Sequence, residues 1–160
     1  MEFPKFKITY NLPGDKLLPH RPPFLFVDTL LSADSEGALG EYVFTAAKND
    51  FFKGHFPGCP VVPGVILIEA MAQVAGASVT ARKIVGEQNA FAMAAIEDVR
   101  FRLPFRPDDK LTTVVKIVRE RAPLGIYELK GYRNGEGTEK GEPAVECRVK
   151  CMIGRKVAER

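Results

Sequence analysis

The chain has 160 residues, 46% of them hydrophobic and 27% charged, which is ordinary for one compact globular domain spanning 1–160. Its formal net charge of +3 is only mildly basic, and the basic residues form no block interleaved with aromatics, so a nucleic-acid groove is not indicated. The three cysteines (Cys59, Cys147 and Cys151) fit neither a metal spacing nor a disulfide framework, and the first residues lack the apolar stretch of a signal peptide; a reduced, cytoplasmic protein is expected.

Residues 11 to 18 suggest a short helix or turn, stopped by Pro19. The large apolar residues from Phe24 to Leu31 suggest a first strand, Ser32 to Gly37 a turn, and the alternation from Gly40 to Ala46 a second strand. Asn49 to Cys59 carries Phe51, Phe52 and Phe56 without a clean period and reads as an ordered loop with an aromatic underside. A long helix is expected to begin at Pro63 or Gly64 and run to about Val85, with Arg82 and Lys83 near its negative end and Gly86 as its stop.

That helix is apolar or small on nearly every side, which calls for a wrapping of other structure. Glu69 and Gln73 inside it, with Pro63 and Gly64 at its start, argue against a membrane span. After it the period changes to about two. Phe91–Phe101, Leu111–Arg119, Gly125–Tyr132 and Ala144–Ile153 read as strands, and 133–143 as a polar, glycine-rich hairpin loop. The pattern implies an α+β fold in which a curved antiparallel sheet wraps one long central helix.

The residues able to do chemistry cluster around the helix start. His55 lies on the preceding loop, and Glu69 in the second turn shares a face with Gln73 four residues on. A carboxyl in apolar surroundings is expected to have a raised pKa, as a general acid requires, and a histidine can serve as base near neutral pH. Gly64 offers an N–H with no intrahelical acceptor and no side chain in the way, suited to a carbonyl oxygen that gains negative charge. Together these fit proton abstraction beside a carbonyl with loss of a β-hydroxyl. Residue types alone also allow a turn-capping histidine and a glutamate that satisfies backbone groups.

The run GHFPGxPxxPGVxxxEAMAQ from Gly54 resembles the signature of the 3-hydroxyacyl-(acyl carrier protein) dehydratases of fatty acid synthesis, the FabZ type. LPHRxPFxxVD from Leu18 and VRFRxP from Val99 resemble that family's other blocks, in the same order. The resemblance implies a hotdog fold and dehydration of (3R)-3-hydroxyacyl chains on acyl carrier protein to trans-2-enoyl products, with no metal or other cofactor. It implies His55 and Glu69 as catalytic pair, drawn from opposite subunits of a homodimer, with a hexamer (a trimer of dimers) as the larger assembly. Gly64 N–H, with Val65 N–H, would bind the thioester carbonyl, and Gln73 would orient Glu69. Glu69 stands where the related dehydratase-isomerases carry Asp, which points away from double-bond isomerisation.

Cys59 stands where an Arg is common in that family, Pro22 where an aromatic is common, and Pro107-Asp108-Asp109 replaces a more usual Pro-Gly-Asp; the loop after Arg133 is longer than typical. These departures bear on chain length and on whether the pathway is primary or a specialised polyketide or lipid route. A hotdog thioesterase, with Glu69 activating water, and a non-catalytic acyl-binding subunit are the competing readings. Cys59 reads as a buried, inert thiol, Cys147 and Cys151 as packing on one strand face, and His20 with Arg21 as structural. Arg82, Lys83, Arg100, Arg102, Arg106 and Lys110 read as solvated charges that could meet an acidic carrier protein.

Overall fold

The structure, a computed structural model, describes residues 1–82 and 90–154. In chain order it contains β1 (Ile8–Pro13), a 3-10 turn (Gly14–Lys16), β2 (Thr29–Ala33), β3 (Gly37–Val43), a second 3-10 turn (Asp50–Lys53), α1 (Gly64–Ala81), β4 (Ala90–Phe101), β5 (Lys110–Arg121), β6 (Leu124–Arg133) and β7 (Val145–Gly154). The seven strands form one antiparallel sheet in the order β1-β2-β3-β5-β6-β7-β4. Register shifts interrupt β2 between Leu30 and Ser32, β5 between Ile117 and Arg119, and β4 at two places. Such bulges bend and twist a sheet, and here it curls around α1.

The alternation expected of the late strands is present. Val145, Cys147, Val149, Cys151 and Ile153 of β7 face inward, and so do Tyr127 and Leu129 of β6. They meet a helix whose residues Ala70 to Val79 are all buried. α1 packs against β2 to β7, so this apolar helix, long enough to cross a bilayer, is the core of the sheet's concave face. A helix inside a curved sheet is the hotdog arrangement that the resemblance implies.

Three expectations for the first part of the chain change. Strand β1 was not foreseen: its residues are mostly exposed and do not alternate. The strand expected over 24–31 starts only at Thr29, because the backbone of Phe24 and Phe26 is taken up by a side chain of α1 instead of a ladder. The turn expected at 32–37 is shorter: β2 runs to Ala33 and β3 starts at Gly37. Asp34 holds the turn by accepting from the N–H groups of Glu36 (2.8 Å) and Lys7 (2.9 Å). Only the 3-10 turn at Gly14–Lys16 represents the helix or turn expected over 11–18. The expected helix end near Val85, with Lys83 and Gly86, lies outside the described residues.

The far end of α1 is tied down by a buried charge cluster. Arg82 donates to both carboxylate oxygens of Glu120 at 2.8 Å, and Tyr127 OH donates to Glu120 Oε1 at 2.7 Å. Arg82 is therefore not part of a solvated basic face. Arg102 pairs with Glu146 and Lys110 with Glu41, so the remaining basic residues are largely in ion pairs too.

Candidate active site

The loop between the second 3-10 turn and α1 is held at both ends, which fixes His55. Its N–H donates to Phe51 O (2.9 Å), its carbonyl accepts from Val61 N–H (2.8 Å), and Val62 N–H donates to Phe105 O (2.8 Å). Phe56 and Cys59 exchange backbone hydrogen bonds within the loop, and the Phe56 ring stacks on the imidazole at 4.1 Å. His55 Nδ1 lies 2.9 Å from the carbonyl oxygen of Val61. A carbonyl only accepts, so Nδ1 carries the proton and Nε2 of the neutral ring keeps a free lone pair. The loop thus presents a base with a defined tautomer.

Helix α1 begins directly after this loop, with Pro63 as its N-cap residue. The N–H groups of Gly64 and Val65 have no acceptor within the helix. Val65 is 72% exposed, and Phe56 and Phe101 are exposed too. A Cβ on Gly64 would come within 2.8 Å of the Phe101 ring, so the residue type lets that ring lie against the helix start.

Glu69 is set by Gln73, whose amide is fully committed. Gln73 Oε1 accepts from Phe26 N–H at 2.7 Å; its Nε2 donates to Phe24 O at 3.1 Å and to Glu69 Oε1 at 2.9 Å. The backbone partners decide which end of the amide is which: a carbonyl needs the NH₂ and an N–H needs the oxygen. Glu69 Oε1 is consequently an acceptor, and a proton on the carboxyl belongs on Oε2. Next to Glu69 is a small cavity of about 30 Å³, lined also by Leu18, His20, Ala72, Gln73, Phe91 and Met93. Cys151 of β7 is close enough for the Glu69 charge to act on it; burial first and that charge second push its thiol up to about 12. Burial holds the Cys147 thiol equally high, so neither is a nucleophile at neutral pH.

Residues 18–140 match the FabA-like domain. The chain belongs to the FabA-like family. Within that family its relatives are of the FabZ type. It is 38% identical over 143 residues to the 3-hydroxyacyl-(acyl-carrier-protein) dehydratase FabZ of Polynucleobacter necessarius, covering 89% of this chain and 91% of the relative. It is 39% identical over 145 residues to the protein of that name from Proteus mirabilis, covering 88% and 91%. Among solved structures, the dehydratase heterocomplex ApeI:P of Xenorhabdus doucetiae superposes with a TM-score of 0.74 at 17% identity, over 91% of this chain and 93% of that one. At that identity the likeness shows a shared fold.

The matched FabA-like segment contains every candidate residue, and the fold groups them unequally. Glu69 and Gln73 are in direct contact, and Gly64 and Val65 open the same helix. His55 stands on the loop before that helix and does not line the cavity at Glu69. Cys59, expected to be buried, is instead exposed on the same loop. Sequence reasoning missed one neighbour. His20, read as structural, places Nε2 3.7 Å from Glu69 Oε1. The two prolines after it suggested a fixed turn, and no periodicity links it to a helix 49 residues on.

Proposed function

We propose that this chain removes water from (3R)-3-hydroxyacyl thioesters carried by acyl carrier protein, giving the trans-2-enoyl thioester, as a cytoplasmic enzyme of fatty acid biosynthesis. Membership of the FabA-like family, with FabZ relatives that align over most of both chains, carries this reading. The geometry supports the division of labour. His55 Nε2 takes the α-proton, and the electron pair of the broken C–H bond moves into the Cα–carbonyl system. Gly64 N–H, with Val65 N–H, donates to the thioester oxygen as it gains charge. The Cα–Cβ double bond then forms as the C–O bond to the β-hydroxyl breaks, and Glu69 Oε2–H protonates the departing oxygen to water. Return of the proton from His55 to Glu69, through solvent, restores the starting state. Side chains supply both proton transfers, so the mechanism needs no further group.

A homodimer is the proposed active unit, with His55 of one protomer facing Glu69 of the other. Within a protomer His55 does not line the cavity beside Glu69 and shares no hydrogen bond with it, which supports this reading. So do the exposed apolar side chains of Phe56 and Val65 near the helix start and of Ile96, Val99 and Phe101 on edge strand β4. A hexamer built as a trimer of such dimers would keep every site intact.

The test is turnover of a 3-hydroxyacyl-acyl carrier protein, followed by enoyl absorbance and by loss of one water in the acyl mass. His55→Ala and Glu69→Gln are each expected to lower kcat by about 10²–10⁴-fold. Unchanged turnover in both variants would overturn the assignment. Release of free thiol without enoyl product would identify a thioesterase instead.

A further inference from the structure

His20, which that mechanism does not use, lies on the segment that leads to β2, with Nε2 3.7 Å from Glu69 Oε1, and its ring helps line the 30 Å³ cavity. Its other nitrogen, Nδ1, is buried with no hydrogen-bond partner among the described residues. The backbone that carries the ring is held. Arg21 Nη1 donates to the carbonyls of Leu18 (2.8 Å) and His20 (2.7 Å), and Gln73 ties Phe24 and Phe26 to α1. The approach of His20 to Glu69 is therefore built by two independent anchors.

The same contacts decide the state of the ring. A proton on Nδ1 would be a buried donor without an acceptor, which costs more than a bare lone pair. The neutral ring accordingly keeps its proton on Nε2, directed at Oε1 of Glu69. Adding a second proton would require Nδ1 to be charged and unsolvated; burial lowers the His20 pKa and outweighs the attraction of Glu69. A neutral donor suits an acid. A cation in this place would favour the carboxylate and remove the proton the reaction needs. Of the other groups near the pair, Cys151 on β7 stays a thiol, and the charged Arg21 guanidinium is turned onto the backbone carbonyls of Leu18 and His20.

We propose that His20 is a positioning residue for the acid: its Nε2–H and the amide of Gln73 both address Oε1 of Glu69, leaving Oε2 as the oxygen that carries and delivers the proton. At 3.7 Å the contact is longer than a hydrogen bond, and a small side-chain rotation when the site fills closes it. The inference rests on Glu69 being the acid.

The experiment compares His20→Leu and His20→Gln in turnover of 3-hydroxyacyl-acyl carrier protein. His20→Leu removes the donor and is expected to lower kcat about tenfold, the worth of one hydrogen bond, with KM within about twofold. His20→Gln keeps an N–H at similar reach and is expected to recover most of the loss. The ¹⁵N shifts of the ring in the unaltered protein are expected to report the neutral Nε2–H form at pH 7, a readout that stands even if His20→Leu does not fold. Wild-type kcat in His20→Leu, equal losses in both variants, or an Nδ1–H or doubly protonated ring would overturn the proposal. Glu69→Gln is the control. If it is inactive while His20→Leu is unimpaired, only this inference falls; if it keeps full turnover, the acid assignment falls first.

Discussion

A half-buried histidine and a buried ion pair are expected to make this protein sensitive to acid in separate ranges. His20 is neutral in the fold, with its pKa lowered from 6.5 by burial. The unfolded chain therefore binds a proton just below pH 6.5 that the folded chain takes up only at lower pH, and between those two points stability falls by at most about 1.4 kcal/mol per pH unit. Glu120 behaves differently. Burial opposes its charge, but the bonds from Arg82 and Tyr127 and the Arg82 charge outweigh burial and hold its carboxyl below the usual range. Its contribution is complete above about pH 4.5 and disappears as pH falls through the lowered value. Urea midpoints measured from pH 7 downward should show a first decline below about 6.5, absent in His20→Gln. A second, steeper decline below about 4.5 should be weaker in an Arg82→Met/Glu120→Leu double variant. Arg82→Met alone strands a buried carboxylate and is expected to cost about 3–5 kcal/mol at pH 7, more than the double variant. A midpoint that stays constant from pH 7 to 5 would contradict the first part, and a mild Arg82→Met the second.

The elements most legible in the sequence were those whose side-chain pattern is decided by the core. Residues 145–153 alternate because every second one meets α1, and α1 is apolar on most sides because the sheet surrounds it. The part between Leu18 and Asp28 was not legible, since its backbone partner is the Gln73 side chain, which no local pattern announces. For the same reason Gly64, Glu69 and Gln73 could be placed from helical spacing, while the approach of His20 to Glu69 could not. Two glycines separate the roles of α1 as core and as site. A Cβ at Gly40 of β3 would sit 2.8 Å from Val74 Cγ1. Val74 is buried and β-branched, with nowhere to turn, so Gly40→Ala is expected to cost about 1–3 kcal/mol. Its activity per folded molecule should be normal. A Cβ at Gly64 would meet the exposed Phe101 ring, which can rotate away. Gly64→Ala should thus cost less stability than Gly40→Ala yet lose kcat by roughly a hundredfold, because the new methyl group displaces the thioester from the N–H donors. Urea melts alongside turnover distinguish the two, and a Gly64→Ala variant with normal kcat would exclude Gly64 N–H as the carbonyl donor.

In the whole molecule the decisive question is whether one protomer owns a complete site. His55 is held by the loop before α1 and Glu69 by Gln73 in the second helical turn, and nothing among the described residues joins them. Strand β4 ends the sheet with Ile96, Val99 and Phe101 exposed, and the Phe101 ring lies against Gly64 at the helix start. A two-fold partner placed on this surface would cover the apolar residues and bring a second loop towards the first helix. Subunit mixing tests this directly. Homodimers of His55→Ala lack both bases, and homodimers of Glu69→Gln lack both acids. If each site draws one residue from each protomer, a mixed dimer contains one site missing both groups and one site that is intact. Random mixing of equal amounts, after reversible dissociation, should therefore restore about a quarter of the wild-type activity from two inactive parents. If instead each protomer carries its own base and acid, every site in every mixed dimer lacks one of them, and activity stays at the level of the parents. The mixed sample should also sediment as the wild type does, which excludes dissociation, and a label on one parent shows that exchange has taken place. Recovery near a quarter establishes the shared site, and no recovery in a fully exchanged sample rules it out.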